Sequence, residues 1–334
     1  MRIKIFTSLG ITVAAAAAWA AFGVGGQGHY LAVWDRQVWN EGGAVKSLGP
    51  LEFAFVSERG AAFAVVSLEA GTMPPASTVR VYDRAGRVLW AAAGTGATSA
   101  YVADSGAAAL VTMRGEGPSA TARLDFYSAA GKRTGEAETG PPLAAAFFPG
   151  EDRFALAVLG GATAVYDLAA GVKEYELPAA RTPAAGPEDL VLLVDRQRMA
   201  LYRRGGRVWE ANHGIYYPRL ATIDAGGGWA VVGGHHEVAL VSLADGRVER
   251  RWEAPADFGI TDLAAAADFS SFAAGIRSLA GVEAVTWLSS RFDVIAREEH
   301  TVAQPSGSSP AVAVLAAPPR AVATGQGWRA TLER

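Results

Sequence analysis

The sequence predicts an all-β protein built from similar modules that repeat along the chain. Short apolar runs rich in Val, Leu, Phe, Tyr and Trp alternate with Gly, Pro, Asp and Ser turns at intervals of about 8–12 residues. A pair of apolar runs around a polar turn recurs, as in 55–66, 101–111 and 147–157. Long amphipathic patterns are missing, and Ala-rich runs such as 263–267 are short and fall where the repeat requires an inner strand.

The second half of each repeat is a strand that ends in a glycine turn, as in Val79–Trp90. Units of this length cannot bury their own apolar face, so they have to stack on one another. The fourth unit is short, which suggests a lost or abbreviated strand around 183–187. The turn glycines are Gly86, Gly131, Gly171, Gly206 and Gly246, and the next equivalent turn lies near Ser290, where the glycine is replaced. These six turns define modules at 52–95, 97–139, 143–179, 186–213, 217–256 and 259–302.

The two ends of the chain hold incomplete modules. Residues 309–334 supply only the first part of a module, and residues 29–41 supply only a last part. Val33–Trp39 matches the outer-strand run 81–90 without the strands that should precede it. A first strand that completes the last sheet closes a circular array and removes its edges. The sequence therefore predicts a seven-bladed β-propeller over 29–334, and deletion of 29–41 is expected to destabilise the whole ring.

Two motifs resemble known propeller repeats. The run Phe148–Phe154, followed by Ala164–Leu168, is similar to the F-S-P-D-G and V-x-x-W-D pattern of WD40 blades. The endings Gly86–Trp90 and Gly206–Trp209 resemble quinoprotein-like (PQQ-type) bacterial repeats. The resemblance covers 29–334 and implies the propeller architecture. No blade has the paired Gly-His and Trp-Asp network of WD40 blades, and Trp34-Asp35 is the one Trp-Asp pair in the sequence. The blades are therefore expected to depend on apolar packing.

Composition limits the kinds of chemistry to consider. Apolar residues make up 50% of the 334 and charged residues 19%, enough for a sizeable core. The net charge of −3 is nearly balanced, and no nucleic-acid partner is expected. The absence of cysteine excludes disulfides, thiolate metal sites, a thiol nucleophile and an acylated lipoprotein anchor.

The first 26 residues predict export. Met1–Lys4 is basic, and Ile5–Gly26 carries no charge. The small residues of Ala18–Ala20 fit a signal-peptide cleavage site, with a mature chain that starts near Ala21. Alternatively, the segment is an uncleaved helical anchor, since about 20 residues cross a bilayer. A buried core helix is the third alternative, although an uncharged stretch at the terminus rarely has that role. Either of the first two alternatives places 29–334 on the periplasmic or cell-surface side of a bacterial inner membrane, and the second gives a membrane contact through the N-terminal segment.

Five side chains are candidates for an interaction loop: His213, Tyr216, Tyr217, His235 and His236. Loops at one end of a rigid array commonly carry recognition residues. His235 and His236 are adjacent in a strand-like context, where neighbouring side chains point to opposite faces and do not chelate one ion. We therefore predict no metal, cofactor or catalytic residue, and we interpret the two histidines as a hairpin tip or as donors and acceptors of inter-blade hydrogen bonds. The alternative for them is a ligand or proton-transfer role in the central channel.

The sequence favours an interaction scaffold that binds a protein partner of the cell envelope. The regular repeat and the lack of a convergent polar constellation motivate this hypothesis. One alternative is a quinoprotein-like oxidoreductase or a hydrolase with its site in the central channel, which only the resemblance implies. The other alternative is a binding module for a small ligand, a sugar or a peptide.

Overall fold

The computed structural model describes residues 21–24, 30–34, 36–69, 76–115, 120–266, 268–302, 310–316, 319–325 and 328–333. All regular structure in these ranges is β-strand. Over the same ranges, no helix long and apolar enough to cross a membrane is present. The predicted signal or anchor segment 1–26 lies largely outside the described residues, except for 21–24, which form the first strand.

The strands form eight antiparallel sheets, seven with four strands and one with three, which we number blades 1 to 8 in chain order. Each blade is a meander in which consecutive strands pair. Blade 1 contains β1 (Ala21–Val24), β2 (Tyr30–Trp34), β3 (Gln37–Asn40) and β4 (Gly43–Ser47), and blade 2 contains β5 (Glu52–Val56), β6 (Ala62–Leu68), β7 (Ser77–Asp83) and β8 (Val88–Ala93). Blade 3 contains β9 (Ser99–Val102), β10 (Ala108–Arg114), β11 (Thr121–Tyr127) and β12 (Arg133–Thr139), and blade 4 contains β13 (Pro142–Phe147), β14 (Arg153–Val158), β15 (Thr163–Asp167) and β16 (Val172–Leu177). Blade 5 contains β17 (Thr182–Ala185), β18 (Leu190–Val194), β19 (Arg198–Arg203) and β20 (Gly206–Asn212), and blade 6 contains β21 (Leu220–Ile223), β22 (Trp229–Gly233), β23 (Glu237–Ser242) and β24 (Val248–Glu253). Blade 7 contains β25 (Phe258–Ala265), β26 (Ser271–Ser278), β27 (Val282–Ser289) and β28 (Val294–Thr301), and blade 8 contains β29 (Ala311–Ala316), β30 (Pro319–Gly325) and β31 (Trp328–Glu333).

The prediction of seven blades was wrong, because the N-terminal run is a blade of its own. From its similarity to 81–90, the run 33–39 was predicted to be an outer hairpin, formed by the last two strands of a blade. In the structure, Trp34 pairs with Gln37 across the turn between the second and third strands. The outer hairpin follows it, where Asn40 pairs with Gly43, and φ at Gly43 is 131°. The outer hairpin is therefore formed by β3 and β4. This leaves β2 as the second strand of the blade, and β1 pairs with it as the first. Within the described residues, the last blade has three strands of its own and shares none with the first.

Blade 5 has all four strands, contrary to the expectation of a lost or abbreviated one. Its innermost strand β17 includes Pro183, which pairs with Leu193 of β18. Proline lacks a backbone N–H and is tolerated on an edge strand, where one side of the backbone has no ladder partner. The Ala-rich run of β25 is likewise an inner strand, as the repeat predicts.

Eight apolar cores hold the ring together, one between each pair of neighbouring blades. The core between blades 3 and 4, for example, includes Phe126, Phe154 and Leu156. Between blades 8 and 1, the described part of the core has Tyr30 and Ala32 packed on Leu315 and Val322. Beside this core, the guanidinium of Arg329 donates to the hydroxyl of Tyr30. The ring is therefore closed by side-chain packing between its first and last sheets.

The repeated glycine turn and outer-strand tryptophan fit each other across the blade boundary. The indole of Trp90 in blade 2 donates to the carbonyl oxygen of Gly106 in blade 3 at 2.9 Å. A Cβ at Gly131 would lie 2.5 Å from the Cβ of Trp90, so a larger residue would collide with it. Trp209 in blade 5 has the same relation to Gly246 in blade 6. The signature in the sequence is therefore an inter-blade contact.

The antiparallel order divides the turns between two faces. Turns between the first and second strands and between the third and fourth strands lie on one face, which we call the hairpin face. Turns between the second and third strands, and the connections from one blade to the next, lie on the opposite face, the loop face. On the hairpin face, blades 2 to 5 are linked in order: Asp104 accepts from the Arg59 N–H, Asp152 accepts from Ser105, and Asp189 pairs with Arg153.

Candidate functional site

Residues 213–219 connect blade 5 to blade 6 on the loop face, between the end of β20 and the start of β21. Two turns flank this connection. The turn 195–197 of blade 5 lies on one side, and the turn 234–236 of blade 6 lies on the other. The five sequence-predicted residues thus belong to two neighbouring segments, and a hydrogen bond from the His235 N–H to the Tyr216 carbonyl oxygen, 2.9 Å long, joins them.

His213 fixes the loop to blade 5. Its imidazole is only 2% exposed. The ring Nδ1 accepts from the Ile215 N–H at 2.8 Å, and Nε2 lies 2.7 Å from the carbonyl oxygen of Asp195. Since Nδ1 accepts, Nε2 must be the donor, which fixes one neutral tautomer. His213 therefore positions the loop and does not face a partner.

The other side of the loop is fixed to blade 6. A carboxylate oxygen of Glu237 accepts from the Tyr216 N–H at 3.0 Å. The second oxygen of Glu237 pairs with Arg251, whose guanidinium also donates to the carbonyl oxygen of His213. Gly234 lets the two segments approach, because a Cβ there would lie 2.6 Å from the Tyr216 carbonyl oxygen. The loop backbone is thus held from both sides.

This fixed backbone presents two tyrosine side chains to solvent. Tyr216 is 62% exposed and Tyr217 is 51% exposed. Their rings meet edge to face, with centroids 5.1 Å apart. Tyr217 has a φ of 52°, a left-handed conformation that is uncommon for a bulky residue. Backbone strain of this kind persists only where the surroundings impose it, and it clusters at functional sites.

An open groove of about 540 Å³ lies beside the two rings, between the loop and the turn of blade 5. We call it the loop groove. The sequence-based candidates missed Arg196, Gln197 and Asn212. A signal for them existed, since the repeat places the turn after β18 at the same end of the blade as 213–219. The lining consists of Arg196, Gln197, Asn212, Gly214, Ile215, Tyr216 and Tyr217.

His235 and His236 form a turn beside the loop. Their rings are tilted, with centroids 4.1 Å apart, and His236 Nδ1 lies 2.7 Å from the Phe258 carbonyl oxygen. Burial, together with the charges of His236 and Arg219, lowers the pKa of His235, which favours its neutral form near pH 7. Over the ranges that the structure describes, no group of three or more His, Asp or Glu residues is placed to hold a metal ion.

The polar groups of the inner strands near the channel connect blades to one another. Asp262 of β25 accepts from the Val312 N–H of β29 at 2.9 Å, and burial raises the pKa of this carboxyl to about 6. The neighbouring hydroxyl of Thr261 donates to the Pro310 carbonyl oxygen at 2.9 Å. On the hairpin face, Glu58 of blade 2 accepts from the Phe147 N–H of blade 4 at 3.2 Å.

Comparisons with known proteins bear on the fold. No protein-family model matches the chain, and no curated protein matches it. Among solved structures, the β-propeller domain of Cps50 (Swd1) from Myceliophteria thermophila, a WD40-like propeller, superimposes with a TM-score of 0.58 at 13% sequence identity. The match covers 84% of this chain and 94% of that one. At this identity the likeness shows the fold alone, and the quinoprotein-type resemblance stays a prediction. The chain has the fold of an all-β propeller, with eight blades.

Proposed function

We propose that the protein is an interaction scaffold that binds a partner protein at the loop groove. The observation that carries this proposal is the pair of exposed tyrosines on a loop whose backbone is fixed to two blades. Aromatic side chains on a rigid backbone bury a large apolar area on binding and lose little conformational entropy. The groove beside them adds a guanidinium and two side-chain amides, which provide polar contacts to a polypeptide.

Site-specific photocrosslinking in living cells tests this proposal. A benzophenone amino acid replaces Tyr216 in one full-length variant. The control variant carries it in place of Trp229, which is 39% exposed and begins β22 next to the hairpin-face turn of blade 6. We expect one defined protein to crosslink from position 216 and not from 229, and the crosslink to weaken in a Tyr217→Ala background. Equal labelling from both positions, or no protein adduct at 216, would contradict the proposal.

We further propose that the chain is exported and that its N-terminal segment is cleaved. The basic Met1–Lys4 followed by an uncharged run supports export. Strand β1 occupies Ala21–Val24, so a membrane helix that leaves this strand in the ring has to end before Ala21. Residues 5–20 would span about 24 Å as a helix, less than the roughly 30 Å hydrocarbon core. Intact-mass analysis of the native protein should show a mature start near Ala21, and a start at Met1 would contradict cleavage.

A further inference from the structure

We propose that the partner enters the loop groove as an extended, acidic peptide segment. This inference rests on the proposed function and specifies the chemistry of its partner. The groove is already formed, because the hydrogen bonds that His213 and Glu237 make to the backbone hold its loop. A segment that binds here meets a fixed surface, so only the segment itself has to become ordered.

The charges around the groove determine which charge a bound peptide should carry. The carboxylates on the segments that form it already have arginine partners: Asp195 lies 3.9 Å from Arg181, and Glu237 pairs with Arg251. Glu210 of β20 pairs with two arginines, Arg198 at 3.0 Å and Arg207 at 2.7 Å.

Arg196 differs from these neutralised groups. It is exposed and lines the groove, and within the described part of the chain it has no ion pair or side-chain hydrogen bond. An uncompensated guanidinium prefers a carboxylate, which it can bind through two parallel hydrogen bonds. Positive charge at the groove therefore favours an Asp or Glu of the partner over a Lys or Arg.

The other lining groups fit an extended backbone. Gln197 and Asn212 carry side-chain amides, each of which offers both a donor and an acceptor to peptide groups. The rings of Tyr216 and Tyr217 meet edge to face and offer exposed apolar ring surface to an aliphatic or proline side chain. A groove lined by both kinds of group matches a linear segment in which an acidic residue adjoins an apolar one.

Selection from a phage-displayed library of random dodecapeptides tests this inference on the purified full-length protein. The affinity of one selected peptide is then measured by fluorescence anisotropy, alongside a copy in which every Asp and Glu is changed to its amide. The protein variants are Arg196→Glu, Tyr216→Ala and the control Arg250→Glu. Arg250 is an exposed residue of β24 with the same charge, away from the groove lining.

We expect the selected peptides to be enriched in Asp and Glu. The amide copy and the Arg196→Glu variant should each weaken binding about tenfold, the size expected for loss of a charge-assisted hydrogen bond. Arg250→Glu should change the affinity less than twofold. Peptides that require Tyr216 but show no acidic excess and no dependence on Arg196 would overturn the acidic partner and leave the scaffold proposal standing. Binding that depends on neither residue would overturn both.

Discussion

Replacement of His213 by alanine tests whether the loop groove is a fixed surface. The substitution removes two hydrogen bonds, to the Ile215 N–H at 2.8 Å and to the Asp195 carbonyl oxygen at 2.7 Å. Each contributes about 1 kcal/mol when intact, and leaving the two buried backbone groups without a partner raises the cost. With the space left by the 2% exposed ring, we expect the free energy of unfolding to fall by about 2–4 kcal/mol.

The assay combines urea denaturation with hydrogen exchange of peptides that cover 213–219. In the variant, exchange across this loop should accelerate by at least tenfold while inner strands such as β18 remain protected, because the lost bonds are local. His236→Ala is the matched control: it removes an exposed imidazole with one backbone contact on the same face, and should cost less than about 1 kcal/mol. If His213→Ala changes stability by less than about 0.5 kcal/mol and leaves exchange of the loop unaltered, the positioning role assigned to His213 is wrong.

Two further substitutions test the site and the channel. Gly234→Ala should destabilise the protein by about 1–3 kcal/mol and weaken partner binding, since its Cβ would lie 2.6 Å from the Tyr216 carbonyl oxygen. Gly228→Ala, where nothing lies within 4 Å, is the control and should be neutral or slightly stabilising; equal effects in thermal denaturation would refute the steric argument. Burial raises the pKa of the Asp262 carboxyl in the folded protein from 3.8 to about 6. The unfolded chain therefore releases this proton at a lower pH than the folded protein does. As a result, the free energy of unfolding falls as pH rises from about 4 to about 6. Compared with Asp262→Asn, the wild type should lose about 1–2 kcal/mol over that interval in urea titrations, with allowance for solvent screening, and parallel pH profiles would contradict this.

The sequence predicted the blade repeat well and the blade count poorly, for one physical reason. Blades 2 to 6 have glycine turns that make their period visible, and the six predicted ranges overlap blades 2 to 7. The fourth range, 186–213, left out the innermost strand β17 of blade 5. The second turn of blade 1 contains Arg36 with a φ of 55° and is shorter than the second turns of blades 2 to 7. That compact turn made β2 and β3 resemble one outer hairpin. Pairing partners decide such a register, and a single sequence does not contain them.

The candidate site was partly predictable. The cluster of aromatic and histidine residues at 213–217 and 235–236 stood out by composition, and the structure brings these two segments together. Sequence could not separate their roles, because His213 differs from His236 only in burial and hydrogen bonding. Arg196 is one of many arginines in the chain. Its significance depends on the neighbouring carboxylates having other partners, which only side-chain placement reveals.

Closure of the ring by packing has a mechanical consequence. Among the described residues, rupture between blades 1 and 8 would separate the packed side chains of Tyr30, Ala32, Leu315 and Val322 and would break the Arg329–Tyr30 bond. In the same ranges, no strand of one sheet pairs with a strand of the other. When load is applied between these two sheets, the boundary can open without the loss of any strand pairing, so each blade stays folded. The eight folded blades would then form an open array, still joined by their chain connections, and the ring would close again once the load is released.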